Sequence, residues 1–66
     1  MDASKIGERL VSLRGERTQS EVAKALGITQ EAMSYYENGK RIPSDEVKIK
    51  LAEYYGTSVQ SIFFET

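Results

Sequence analysis

Thr18-Gln19-Ser20-Glu21-Val22-Ala23-Lys24-Ala25-Leu26-Gly27-Ile28-Thr29-Gln30-Glu31-Ala32-Met33-Ser34-Tyr35-Tyr36-Glu37-Asn38-Gly39-Lys40-Arg41 holds two helices and the turn between them. Thr18 followed by Glu21 is a capping box, in which the hydroxyl accepts the N3 amide proton and the carboxylate reaches back to the cap amide. Val22, Ala23 and Leu26 then face inward, and Gly27 closes the helix with a left-handed turn that a side chain would strain. Two residues later Thr29 caps the next helix, so the linking turn is Gly27-Ile28, with Ile28 placed to pack beneath it. Ala23 is small at the point where a bulky side chain would hold the two helices apart.

The faces of this next helix separate. Ala32, Met33 and Tyr36 share one side, while Glu31, Ser34, Tyr35 and Asn38 fall at i, i+3, i+4 and i+7 on the other. Asn38-Gly39 ends it. Upstream, Ile6, Leu10 and Leu13 form a buried stripe that Ala3 extends backwards and Gly15 stops. Downstream, Lys40-Arg41-Ile42-Pro43 leads to Ser44, which caps a helix whose first turn carries Asp45 and Glu46, placed for the helix dipole. That helix runs to Gly56, and Thr57 or Ser58 caps a last short helix ending in Ile62-Phe63-Phe64.

Sixty-six residues make at most one domain, here 1–66 with the helix pair at about 18–38. A chain this short buries roughly 60% of the surface its unfolded form exposes, so its stability margin is thin. Without Cys or His, no disulfide, ordinary zinc site or cofactor is expected, and the commonest general base and the thiol nucleophile are missing. Ser, Asp and Glu remain, but no pair of them sits in a catalytic setting, so an enzyme is not expected. No apolar run approaches the roughly 20 residues of a membrane span, and the N-terminus lacks a signal-peptide core, so a cytoplasmic location is expected. The net charge of −1 argues against a nucleic-acid partner, since such domains are often basic. Local positive charge and hydrogen-bond donors are nevertheless enough for phosphate, with acidic residues elsewhere cancelling the total.

A helix, a glycine turn and a second helix with a polar outer face present side chains to a DNA major groove. The stretch from Thr18 to Arg41 resembles the Cro/C1 repressor type of helix-turn-helix (the XRE family). The likeness extends from Ile6-Gly7-Glu8-Arg9-Leu10 through Ile42-Pro43-Ser44 to Leu51-Ala52 and Ser58-Val59 with Ile62-Phe63. It implies an all-α fold, a compact five-helix lambda-repressor-like DNA-binding domain, and the function of a sequence-specific regulator. Thr29, Gln30, Glu31, Ser34 and Tyr35 match the base-facing positions. Thr18, Gln19, Asn38, Lys40 and Arg41 match those on the DNA backbone, with Gln19 also bracing the recognition helix. The resemblance further implies a buried ion pair between Arg14 and Glu37.

The chain departs from the family in three places. Gly15-Glu16-Arg17 is about two residues shorter than usual, with Arg17 where Leu is common; Asp45 and Lys48 stand at frequently apolar positions; and Glu31 brings negative charge to the groove. Glu31 either accepts from cytosine N4 or orients a neighbouring side chain. Tyr35 either contacts a thymine methyl or a phosphate, or shields apolar surface. At ~100° per residue, Val47, Ile49, Leu51, Ala52, Tyr54 and Tyr55 span roughly 220° of the fourth helix, more than one core needs. With Ile62, Phe63 and Phe64 this arc reads either as a homodimer surface, Tyr54 and Phe64 foremost, or as end-capping of a very small core. Two readings of function follow. One is a dimeric repressor on double-stranded DNA with inverted half-sites, its signal arriving through concentration or a protein antagonist. The other is a protein-interaction module of antitoxin or anti-repressor type, which the low net charge and the Phe63-Phe64 end favour and the polar set Gln19, Gln30, Asn38 and Lys40 opposes.

Overall fold

The computed structural model describes residues 1–65. Its elements are α1 (Ala3–Arg14), α2 (Gln19–Leu26), α3 (Gln30–Glu37), α4 (Asp45–Tyr55) and a single wide π-type turn, α5 (Gln60–Phe64). The described residues contain no strand, and the molecule is all-α. Side-chain caps set where the helices begin. Thr18 and Glu21 form the full capping box, Thr29 accepts from the Ala32 amide at 3.0 Å, and Ser44 accepts from that of Val47 at 3.3 Å. Asp2 caps α1 by accepting from the amides of Ser4 and Lys5. Of the two candidates before the last turn, Ser58 accepts from the Ser61 amide at 3.0 Å.

The ends of α2, α3 and α4 share one closure, in which the two residues after the cap donate back to carbonyls of the last turn. At α2 the Gly27 amide meets Lys24 and the Ile28 amide meets Ala23, with Gly27 left-handed at φ 71°. This turn tucks Ile28 against the core and brings α3 across α2.

All five helices supply that core: Ile6 and Leu10 from α1, Val22, Ala23 and Leu26 from α2, Met33 and Tyr36 from α3, Leu51 and Ala52 from α4, and Ile62 and Phe63 from α5. Helix α1 lies close against the end of α3 because position 7 is glycine. A Cβ there would overlap the Glu37 carbonyl oxygen and sit 3.0 Å from that of Tyr36. Arg9 holds the other end, donating to the carbonyls of Ile62 at 2.8 Å and Glu65 at 2.7 Å. These are orphan carbonyls at a helix end, which a cationic donor satisfies well.

The C-terminal third corrects part of the expected dimer surface. Ile62 and Phe63 are each 1% exposed, filling the core rather than facing a partner. Lys48, on the arc of α4, is buried instead, its ammonium 5.8 Å from the Phe63 ring centroid and 5.4 Å from that of Phe64. Its methylene stem fills an apolar position while the head meets two ring faces and Asp45 at 3.5 Å. Ile49 is exposed. Tyr54 and Phe64 line different grooves, Tyr54 with Lys24, Leu26 and Lys50, and Phe64 with Ile49 and Val59.

Candidate nucleic-acid interface

Helix α3 has only eight residues, and its orientation is set from its C-terminal end. Glu37 closes the helix with its side chain 2% exposed. Arg14 Nε donates to Glu37 Oε2 at 2.7 Å, and Arg14 Nη2 donates to Oε1 at 3.1 Å. Gln19 Nε2 donates to the same Oε1 at 2.8 Å. One carboxylate therefore ties the end of α1 and the first residue of α2 to the last residue of α3. Arg14 also donates to the Arg17 carbonyl at 2.7 Å, which fixes the short connection between α1 and α2. The Glu37 hydrogen bond raises the pKa of Arg14 above its ordinary value, so the guanidinium stays charged. From the sequence, Gln19 and the Arg14–Glu37 pair stood as two separate features; their convergence on one group is a product of the fold.

The base-facing candidates divide by what their side chains already do. Gln30 and Glu31 are exposed in the first turn of α3. Thr29 is exposed as well, with its oxygen accepting as the cap and its proton left to donate. Ser34 is half-buried and accepts from Asn38 Nδ2 at 3.1 Å, so these two form a ready-made polar pair along one edge. Tyr35 is half-buried too, with the Arg41 guanidinium carbon 5.0 Å from its ring centroid. Among the backbone candidates, Lys40 and Arg41 are exposed just beyond α3. Thr18 is more committed: its hydroxyl accepts from the Glu21 amide at 3.0 Å and lies 3.4 Å from the Glu21 carboxylate.

The fold thus gathers Gln30, Glu31, Ser34, Tyr35 and Asn38 on α3 with Lys40 and Arg41 beside its end, and places Gln19 where α2 meets α3. Tyr54 lies outside this group, on α4 facing the end of α2, with Arg17 5.3 Å from its ring centroid. Sequence reasoning missed the roles of Gly7, beneath the end of α3, and of Arg9, which ties α5 to α1. Neither has a local signal, since a helical glycine and a solvated arginine look alike in any exposed stretch.

Comparisons with known proteins agree with this geometry. A family model described as Helix-turn-helix matches residues 11–62. An uncharacterised HTH-type transcriptional regulator of Methanocaldococcus jannaschii is 35% identical over 46 residues, covering 70% of this chain and 70% of the relative. Another, from Archaeoglobus fulgidus, is 35% identical over 46 residues, covering 70% of this chain and 65% of its own length. No solved structure matches the chain significantly. With the family match running from the end of α1 into α5 and containing the whole α2–turn–α3 unit, the chain belongs to the Cro/C1-type (XRE) helix-turn-helix family of DNA-binding transcriptional regulators.

Proposed function

We propose that this chain, as a single domain spanning residues 1–66, is a cytoplasmic repressor that binds a specific double-stranded DNA operator as a homodimer. The observation that carries the reading is the α3 edge: Gln30, Glu31 and the Ser34–Asn38 pair stand on one side of a helix whose far end is locked by Glu37. A helix held this firmly presents its polar edge to the major groove without first having to be ordered. Lys40, Arg41 and Gln19 flank that edge, where phosphates run.

One short recognition helix reads a few base pairs, too little discrimination against a genome of competing sites. Two-fold symmetry doubles the contact and sets the α3 helices of two copies about 34 Å apart, on inverted half-sites. The surface that fits this role is the α4–α5 groove at Ile49, Val59 and Phe64, where Ile49 and Phe64 are both about half exposed. Tyr54 remains a candidate contact on the neighbouring groove. The same exposed apolar surface, with a net charge of −1, favours a second reading as an adaptor that binds a protein partner or antagonist.

Footprinting on the region upstream of the protein's own gene tests the first reading. Protection should be lost steeply as salt rises. Gln30→Ala should cost about 1–3 kcal/mol on the operator and little on random DNA. Lys40→Ala should weaken both equally and flatten the salt slope by about one unit. Absence of protection at any salt, with capture of a protein partner, favours the adaptor.

A further inference from the structure

Tyr35 falls at a base-facing position, yet its surroundings differ from those of Gln30 and Glu31. The Lys40 amide donates to the Tyr35 carbonyl at 2.9 Å and the Gly39 amide to that of Tyr36 at 3.3 Å, which turns the chain back along α3. The next residue is Arg41, and its guanidinium lies over the Tyr35 ring at 5.0 Å. Arg9 and Arg14, both on α1, have their donors engaged, Arg9 on two carbonyls and Arg14 on Glu37 and a carbonyl, while Arg17 lies over the rings of Tyr54 and Tyr55 on α4. Among the described residues no protein acceptor takes an N–H of Arg41. Its donor fork is unspent while the Tyr35 ring lies within cation–π range, beside the negative end of the α3 dipole.

We propose that Tyr35 is a positioning residue for Arg41, its ring serving as a platform that holds the guanidinium ready for a DNA phosphate rather than reading a base. This inference rests on the DNA-binding reading above. A free arginine loses much rotamer freedom when it grips a phosphate, and a ring that restricts it beforehand lowers that cost. The benefit is independent of base sequence, because phosphates carry none. The hydroxyl contributes little to it, because the attraction comes from the ring face.

The test is a double-mutant cycle on the full chain, with the footprinted operator and a mixed-sequence duplex as probes. Tyr35→Ala should weaken both duplexes by the same two- to fivefold, the range of an exposed cation–π contact. That loss should vanish in an Arg41→Ala background, and Tyr35→Phe should bind like the wild type. In free protein the Arg41 side-chain protons should show an upfield ring-current shift that Tyr35→Leu abolishes. Should Tyr35→Ala not fold, Arg41→Lys serves: it keeps the charge and loses the planar guanidinium fork that the ring would hold in place, so affinity should fall two- to fivefold at an unchanged salt slope. A loss confined to the operator, full additivity with Arg41→Ala, damage by Tyr35→Phe, or undiminished binding by Arg41→Lys each overturns the platform while leaving DNA binding intact. A wild-type chain that binds neither duplex overturns the DNA-binding reading and the platform with it.

Discussion

The C-terminal end of α3 and the last turn, α5, both pack against α1, but one is tied by a buried carboxylate and the other by a buried ring. At Glu37 three side-chain donors from two other helices converge on two oxygens. At α5 the Phe63 side chain fills the core, and the polar bonds are those of Arg9 to backbone carbonyls. Hydrogen bonds have direction, so the first arrangement fixes how α3 is rotated as well as where it lies. Apolar burial has none; it fixes proximity and leaves exact orientation to shape. The polar clamp stands under the helix that must present side chains in register, and the apolar wedge stands under the region that needs only to stay closed.

The largest expected effect breaks the wedge. Phe63→Ala should cost about 3–5 kcal/mol, as deletion of a buried ring does. Since small domains hold only about 5–15 kcal/mol in all, urea unfolding should show a protein at the edge of its folded baseline. A loss below about 1 kcal/mol would mean that Arg9, not the ring, closes α5.

Breaking the clamp should come next. Removing one partner of a fully buried pair costs about 3–5 kcal/mol, but Arg14 is 20% exposed and regains some hydration, so Glu37→Ala should cost about 2–3 kcal/mol. At roughly 4–8 °C per kcal/mol, the melting temperature should fall by about 8–24 °C without DNA present. Glu37→Gln, which keeps one acceptor oxygen, should lie between this variant and the wild type. A shift of a degree or two in Glu37→Ala would show that hydration replaces the network at no cost.

The same contrast explains what was legible in the sequence. The α2–turn–α3 unit is written in short-range signals: Thr18 with Glu21, Gly27 with Thr29, and Asn38 with Gly39 each act within a few positions, and the structure contains those caps and turns. The family resemblance supplied the Arg14–Glu37 partnership, which no spacing states. In the C-terminal third, apolar residues spread over so much of α4 that periodicity did not separate core from surface. Lys48 is buried while Ile49 is exposed, because a lysine stem can fill an apolar slot when ring faces receive its charge. Ile62 and Phe63 stayed open between dimer surface and end-capping of the core, because the elements they pack against, α1 among them, lie about fifty positions away.

A smaller effect on stability, with a larger one on assembly, is expected at the exposed side of the wedge. Phe64 is half exposed, so Phe64→Asp should change unfolding by no more than about 0.5 kcal/mol. If its groove joins two copies, sedimentation should shift toward monomer, and binding to a full operator should weaken far more than binding to a half-site. A wild-type chain that stays monomeric at high concentration and on the full operator would sink the dimer.

A small effect, of the opposite sign, probes the seam between the two regions, where α4 meets the clamp. The Tyr55 hydroxyl is buried and meets no hydrogen-bond partner among the described residues. Its pKa is pushed up to about 12, first by burial and then by the negative charge of Glu37, against the opposing pull of Arg14 and Arg17. An unfolded tyrosine ionises near pH 10, so the fold favours the protonated form. The resulting stability is present in full below about pH 10 and is lost as pH rises through about 12. Tyr55→Phe removes both the ionisation and the unpartnered hydroxyl, whose burial without a bond is unfavourable. At pH 7 the variant should match or exceed the wild type, by up to about 1 kcal/mol. Between pH 10 and 12 its urea midpoint should decline less steeply than that of the wild type. A variant less stable than wild type at pH 7 would mean that the hydroxyl has found a partner, an ordered water bridging it to the clamp, and that the polar network reaches one residue further into α4 than the protein contacts alone indicate.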